Sequence, residues 1–283
     1  MKNIIITGAS RGFGKAIAHK FLKEQCNIAI CARNSDELKF AQIEMVIQSY
    51  NKTNIYSMPC DVSNEIQVNT FIDNSIEKFN TIDAIILNAG VYGPMGALEN
   101  VSLEDWKSAF DINFYGVLLP CRRIINHFKQ QKKGKIIIVS GGGATNPMPN
   151  ITAYAASKAA VVRLMESLAL ELKPYNIDVN AIAPGPLSTK LVDQVLDAGP
   201  DIVGFEFFQK NLKWKTDGAT SPELGAGLIY YLTTPESNGI TGKLISAQWD
   251  NWKDLKSHIN ELNNSDIYSL RRIVPEDRGY SWK

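Results

Sequence analysis

Tyr154-Ala155-Ala156-Ser157-Lys158 places a phenol and an ammonium four residues apart at the start of a stretch with helical periodicity. On a helix, positions i and i+4 share a face, so the two groups stand one turn apart. A phenol with a pKa near ~10 is a poor proton donor or acceptor at neutral pH, and a neighbouring ammonium lowers that pKa by stabilising the phenolate. Such a pair can handle the proton on an oxygen while a hydride moves to or from the carbon that bears it. Alone, a Tyr/Lys pair on a helix is an ordinary surface pair, and its weight comes from its company.

A second group has the spacing of a phosphate cradle. Thr7-Gly8-Ala9-Ser10-Arg11-Gly12-Phe13-Gly14 follows the apolar run Ile4-Ile5-Ile6 and leads into a helical pattern. Glycines at a strand-to-helix turn let the backbone approach a pyrophosphate, and the helix N-terminus supplies unpaired N–H donors. Glycine-rich turns also serve packing, so this signal by itself is only suggestive. A free ribose 2′-OH is usually met by Asp or Glu about 20 residues further on, whereas a 2′-phosphate calls for Arg. Here the second apolar run ends in Cys31-Ala32-Arg33-Asn34 without a carboxylate, and Arg11 lies inside the glycine turn. Two guanidiniums suit a dianionic phosphate, which favours NADP(H), with NAD(H) as the alternative. The competing reading of Arg33 is a solvated charge at a strand end.

The elements that must position these groups alternate along the chain. Strands are predicted over 4–7, 27–32, 55–58, 84–87, 135–140, 178–182 and 243–247. Helical stretches separate them, from Gly12 to Glu24 and from Ser35 with Leu38, Ala41 and Met45 inward. The longest run from about Leu103 to Gln130 and from about Ala153 to Lys173. That alternation predicts an α/β fold: a single doubly wound parallel sheet with helices on both faces. Residues 1–250 form one domain, and the polar, Trp-containing 251–283 is a C-terminal extension packed on it.

Composition narrows the class. The chain has 283 residues, 45% apolar and 21% charged, enough to bury a core. A formal charge of +1, without a long basic run, offers no case for nucleic acid. No apolar stretch approaches the ~18 residues of a membrane span, and Met1-Lys2-Asn3 leads straight into a strand rather than a secretory signal. Cys26, Cys31, Cys60 and Cys121 lack metal or disulfide spacing and read as reduced core thiols. A cytoplasmic protein without a metal is expected.

Together these motifs resemble the short-chain dehydrogenase/reductase superfamily, classical NADP-preferring type, over about residues 1–247. Gly8, Gly12 and Gly14 match its glycine turn, with Ser10, Arg11 and Phe13 between them. Asp61-Val62 matches its adenine-contacting pair, Asn88-Ala89-Gly90 the end of its fourth strand, and Tyr154 and Lys158 its Tyr-x-x-x-Lys. Asn113 falls where the family uses Asn to tie a water to the active-site lysine. Pro184-Gly185 and Thr189 match the turn and threonine facing the nicotinamide. The resemblance implies a Rossmann-type sheet, Tyr154 as general acid/base, Lys158 on the nicotinamide ribose, and a homodimer or homotetramer. It also implies a substrate lid over about 185–217, where Phe205, Phe207, Phe208 and Trp214 read as the apolar face of a lid helix rather than as substrate contacts.

Two departures stand out. The family's carbonyl-polarising Ser lies thirteen residues before the Tyr, and here that position is Gly141, with Ser140 just before it. A break at Gly141-Gly142-Gly143 would turn Ser140 into the cleft; otherwise the glycine backbone takes over. The last strand also ends atypically, in Ser246-Ala247-Gln248-Trp249-Asp250. The implied activity is NADP(H)-dependent interconversion of a carbonyl and a secondary alcohol on a small molecule. The contrasting expectation is a dinucleotide-binding sensor or scaffold without catalysis, against which Asn113, Tyr154 and Lys158 argue. A nucleotide-sugar dehydratase or epimerase would need a larger C-terminal domain.

Overall fold

In the computed structural model, which describes residues 1–49 and 53–282, seven parallel strands form one sheet in the order β3-β2-β1-β4-β5-β6-β7. They are β1 Asn3–Thr7, β2 Asn27–Ala32, β3 Ile55–Pro59, β4 Ala84–Leu87, β5 Gly134–Val139, β6 Ile177–Ala183 and β7 Leu244–Ser246. The helices are α1 Gly12–Lys23, α2 Ser35–Gln48, α3 Glu65–Phe79, α4 Leu103–Phe110, α5 Gly116–Gln131 and α6 Thr152–Leu172. They continue with α7 Lys190–Ala198, α8 Pro200–Val203, α9 Phe205–Thr216, α10 Pro222–Leu232 and α11 Ile259–Asn263. Strand order reverses between β1 and β4, and ligands bind outside the carboxyl ends of the strands at such a switch point.

A parallel sheet covered on both faces needs strands that are apolar on both sides. Ile4-Ile5-Ile6 supplies this: Ile4 and Ile6 pack with Ile17 and Phe21 of α1, while Ile5 packs with Phe71 of α3 and Val161 of α6. The four cysteines are free and buried. No helix among the described residues is long and apolar enough to cross a membrane.

The single helix predicted from Leu103 to Gln130 is broken. A π-helical turn, Asp111–Tyr115, separates α4 from α5. The widened turn buries the Asn113 side chain, which replaces the regular backbone pattern with long-range bonds of its own.

Beyond β7 the chain packs back on the domain. Trp252, Leu255 and Leu262 join the core cluster of α1 and α10. Leu244 N–H donates to the Tyr268 carbonyl at 2.8 Å, and Lys243 Nζ donates to the carbonyls of Ser265 (3.1 Å) and Ile267 (2.9 Å). The C-terminal segment thereby covers the open edge of β7, which would otherwise present unpaired backbone groups. It then reaches α6, where Leu270 N–H donates to Glu166 Oε1 at 2.6 Å and Leu270 O accepts from Arg163 at 2.6 Å.

Candidate active site

One cleft of about 1030 Å³ runs across the carboxyl ends of the strands. At one end is the glycine turn. A Cβ on Gly14 would lie 2.1 Å from the Gly8 carbonyl oxygen, so only glycine lets α1 start this close to β1. Asn88 fastens the turn from β4, donating from Nδ2 to the carbonyls of Thr7 and Gly8, both at 3.1 Å. The first turn of α1 has no acidic residue, and its N-cap, Arg11, makes no capping hydrogen bond. Uncapped N–H groups beside a glycine cradle fit a pyrophosphate. Ser10, Phe13, Arg33, Asp61, Val62, Ala89 and Gly90 line the same cleft, as do Pro184, Gly185 and Thr189. Thr189 also caps α7 through its hydroxyl.

Glu37, from the first turn of α2, also enters this end. Its carboxylate accepts from Arg11 Nη1 at 2.9 and 3.0 Å and faces Lys190 Nζ at 3.5 Å. The end of β2 carries no carboxylate; Glu37 comes from the first turn of α2 instead. Three cations, Arg11, Arg33 and Lys190, thus share the site with two carboxylates, Glu37 and Asp61, and Arg33 has no ion pair among the described residues.

At the other end stand Tyr154 and Lys158 on α6. Lys158 is buried and donates from Nζ to the Val139 carbonyl at 2.8 Å. Burial lowers its pKa to about 8. Its Nζ lies 5.6 Å from the centre of the Tyr154 ring. The expected lowering of the Tyr154 pKa is not found: burial, followed by the nearby Tyr92, pushes it up. Burial drives both groups toward neutrality, which leaves Tyr154 holding its proton.

Asn113 does not reach the cleft surface. It lies fully buried behind it, accepting from Val91 N–H at 2.9 Å and donating to Val91 O (2.9 Å) and Ser157 Oγ (3.0 Å). It thereby ties the segment after β4 to α6, which carries Tyr154 and Lys158.

The strand breaks where expected: β5 ends at Val139, Gly142–Ala144 form a 3-10 turn, and Ser140 is among the residues lining the cleft. Its N–H makes the last bond to β6, to the Ile182 carbonyl at 2.8 Å, so strand alternation still reaches it. Alternation then sends neighbouring side chains to opposite faces. Ser140 turns back to the helix, its hydroxyl 3.4 Å from the Lys158 carbonyl oxygen, and Gly141 faces Tyr154. A Cβ at Gly141 would meet the Tyr154 hydroxyl at 2.4 Å. The Tyr154 hydroxyl occupies the space a serine at this position would need.

Two contacts escaped the sequence reading. Tyr92 packs edge-on against Tyr154, with ring centres 4.8 Å apart, and burial raises its pKa to about 12. Its position just past Asn88-Ala89-Gly90 was the available signal. The lid aromatics also behave differently from a self-burying helix face: Phe207 and Trp214 line the cleft, Phe207 against Tyr92, while Phe205 is 67% exposed.

Comparison with known proteins agrees with this geometry. Residues 2–198 match the family described as short chain dehydrogenase. The chain is 32% identical over 245 residues to glucose 1-dehydrogenase 2 of Bacillus subtilis (strain 168), covering 85% of this chain and 91% of that protein. It is 34% identical over 191 residues to 3beta-hydroxysteroid dehydrogenase 1 of Eggerthella lenta, covering 67% and 72%. Among solved structures, an NAD+-bound xylitol dehydrogenase superposes with a TM-score of 0.76 at 26% identity, over 87% of this chain and 96% of that one. A levodione reductase, at 23% identity, shares the fold with a TM-score of 0.78 over 90% and 98%. With a switch-point cleft, a glycine cradle and a Tyr/Lys pair all in place, the chain belongs to the short-chain dehydrogenase family and is an NAD(P)-dependent oxidoreductase of alcohols and carbonyls.

Proposed function

We propose that the protein uses NADP(H) in preference to NAD(H) to interconvert a carbonyl and a secondary alcohol on a small molecule, with Tyr154 as general acid/base. The observation that carries this reading is the shared cleft, with the uncapped start of α1 at one end and Tyr154 at the other. The nicotinamide supplies or accepts the hydride. Gly8, Gly12 and Gly14 hold the pyrophosphate, Asp61 and Val62 the adenine, and Pro184, Gly185 and Thr189 the nicotinamide. Lys158 exchanges its bond with Val139 O for the nicotinamide ribose, and as an ammonium there it eases proton transfer at the Tyr154 Oη. With Ser140 turned away, the N–H groups opening the 3-10 turn Gly142–Ala144 polarise the substrate oxygen.

Arg33, without an ion pair among the described residues, and Arg11, which must leave Glu37, hold the 2′-phosphate. The catalytic unit is 1–250 with its lid over 185–217, the segment 251–283 is its extension, and the enzyme works in the cytoplasm as a homodimer or homotetramer. The relatives' names span a sugar and a steroid, so the test is a carbonyl panel that includes both kinds. NADPH consumption faster than NADH consumption with at least one carbonyl is expected. Consumption of neither cofactor across the panel would reject the reading.

A further inference from the structure

The turn after β7 leaves one large aromatic side chain exposed between the buried Ala247 and Trp252. Trp249 lines the cleft yet is 76% exposed. A side chain this large and apolar, held at the rim of a cleft, loses its contact with water only when something flat and apolar covers it.

Its position is braced from two sides. Trp249 N–H donates to Ser246 Oγ at 3.3 Å, and Ser246 N–H donates to Asp250 Oδ2 at 2.6 Å, which closes the turn. From the C-terminal segment, the Tyr268 carbonyl accepts from Leu244 N–H at 2.8 Å, and burial together with the nearby Asp250 carboxylate raises the Tyr268 pKa. Tyr268 does this with a φ of 60°, a left-handed conformation costly for an aromatic residue and retained only where its surroundings hold it. On the other side, Gln248 Oε1 accepts from Thr220 Oγ1 at 2.8 Å, and Thr220 N–H donates to Pro186 O at 2.8 Å. The turn carrying Trp249 therefore joins the C-terminal segment to the two stems of the lid.

Charge is distributed unevenly along the cleft. Arg11, Arg33, Glu37, Asp61 and Lys190 lie at the glycine-turn end. Tyr92 packs on Tyr154 and Phe207 on Tyr92, and Met148, Trp214 and Trp249 line the same cleft, while Asp250 Oδ2 accepts from Ser246 N–H. Lys158, the charged side chain beside Tyr154, is held by the Val139 carbonyl, so an uncharged apolar substrate is matched to these aromatic walls.

We propose that Trp249 is a specificity-determining residue, an aromatic platform for an uncharged ketone or alcohol built on an apolar ring system, and that Tyr268 is a positioning residue acting through Asp250. This rests on the reading of the cleft as the site of carbonyl reduction. The C-terminal segment thus tunes substrate choice from outside the shared catalytic unit.

The test is calorimetric binding of two ketones, 2-decalone (bicyclic, apolar) and 1,3-dihydroxyacetone (small, polar). The full chain is saturated with whichever of NADP+ or NAD+ binds more tightly, so that neither ketone can be reduced. The native chain is expected to bind 2-decalone at least ~10-fold more tightly than dihydroxyacetone, as an apolar contact area of this size requires. Trp249→Ala should weaken 2-decalone by ~10-fold and leave dihydroxyacetone unchanged, while Trp249→Phe keeps most of the affinity. Tyr268→Phe should weaken 2-decalone ~3-fold with cofactor affinity unchanged, since the lost hydroxyl stands near the Asp250 carboxylate that closes the Trp249 turn. Equal affinity of the native chain for both ketones, or full 2-decalone affinity in Trp249→Ala, would overturn the proposal. Selective binding of 2-decalone through Trp249 without any carbonyl reduction in the panel would leave this inference standing and reject the proposed reaction.

Discussion

The two ends of the cleft are built by different means. At the glycine-turn end the wall is backbone: Gly8 and Gly14 in contact, Asn88 bonded to two carbonyls, and no room for a single added carbon. At the Tyr154 end the wall is side chains, including those of α7 and α9 and of a turn braced by distant residues. A backbone-built wall tolerates no substitution and suits a ligand that never changes. A side-chain wall can be resurfaced without disturbing the sheet, which suits a substrate that differs from one relative to the next.

The sharpest way to break that contrast is at Tyr154, the proton-handling group of the side-chain-built end. Tyr154→Phe removes only the hydroxyl, so turnover should fall by at least ~100-fold while cofactor affinity is kept. Steady-state kinetics beside a fluorescence titration check this, and near-normal turnover would overturn the assignment. Lys158 comes next. It is protonated up to ~10.5 in the unfolded chain but only to about 8 in the fold, so the unfolded state holds more protons in between. Its contribution therefore makes stability rise with pH from about 8 to 10.5. Lys158→Met should abolish turnover, flatten that part of the profile and raise stability at pH 7 by up to about 3 kcal/mol. Denaturant titrations at pH 7 and 10 measure it; a variant less stable than the native chain at pH 7 would contradict the cost of burying the ammonium.

At the backbone-built end, specificity rests on the few side chains that reach in. Arg33→Ala should cost NADPH roughly 1–3 kcal/mol of affinity and leave NADH nearly unchanged. Equal losses for both cofactors would show that Arg33 does not read the 2′-phosphate. The smallest effect is expected at Ser140. Its hydroxyl makes one long bond to the Lys158 carbonyl, so Ser140→Ala should change turnover less than ~3-fold and stability by under about 1 kcal/mol. A hundredfold loss of turnover would mean that Ser140 swings into the cleft when cofactor binds.

Much of this was legible along the chain. The isoleucine runs of β1, β4 and β5, the glycine turn and the Tyr/Lys spacing are local signals: strand and helix periods, turn chemistry and one helical turn between two side chains. They sufficed for the fold class and for gathering most candidate residues into one cleft. Asn113 was placed by the family resemblance, but the π-helical turn that buries it depends on Val91 and Ser157, one segment on either side of it.

What only the tertiary structure decided are contacts between residues far apart in sequence. Glu37 meets Lys190 across 153 positions, because the crossovers deliver both to the same strand ends. The face taken by Ser140 follows from the pairing with Ile182, since a shift of one residue in register reverses every side chain. Tyr92 gains its place against Tyr154, and Trp249 its brace from Tyr268, only once the sheet order and the return of the C-terminal segment are set. The sequence by itself determined the cradle and the proton-handling pair, because local backbone geometry encodes them. The surroundings that tune them were decided by topology, because a residue's neighbours across a sheet are not written in its own stretch of chain.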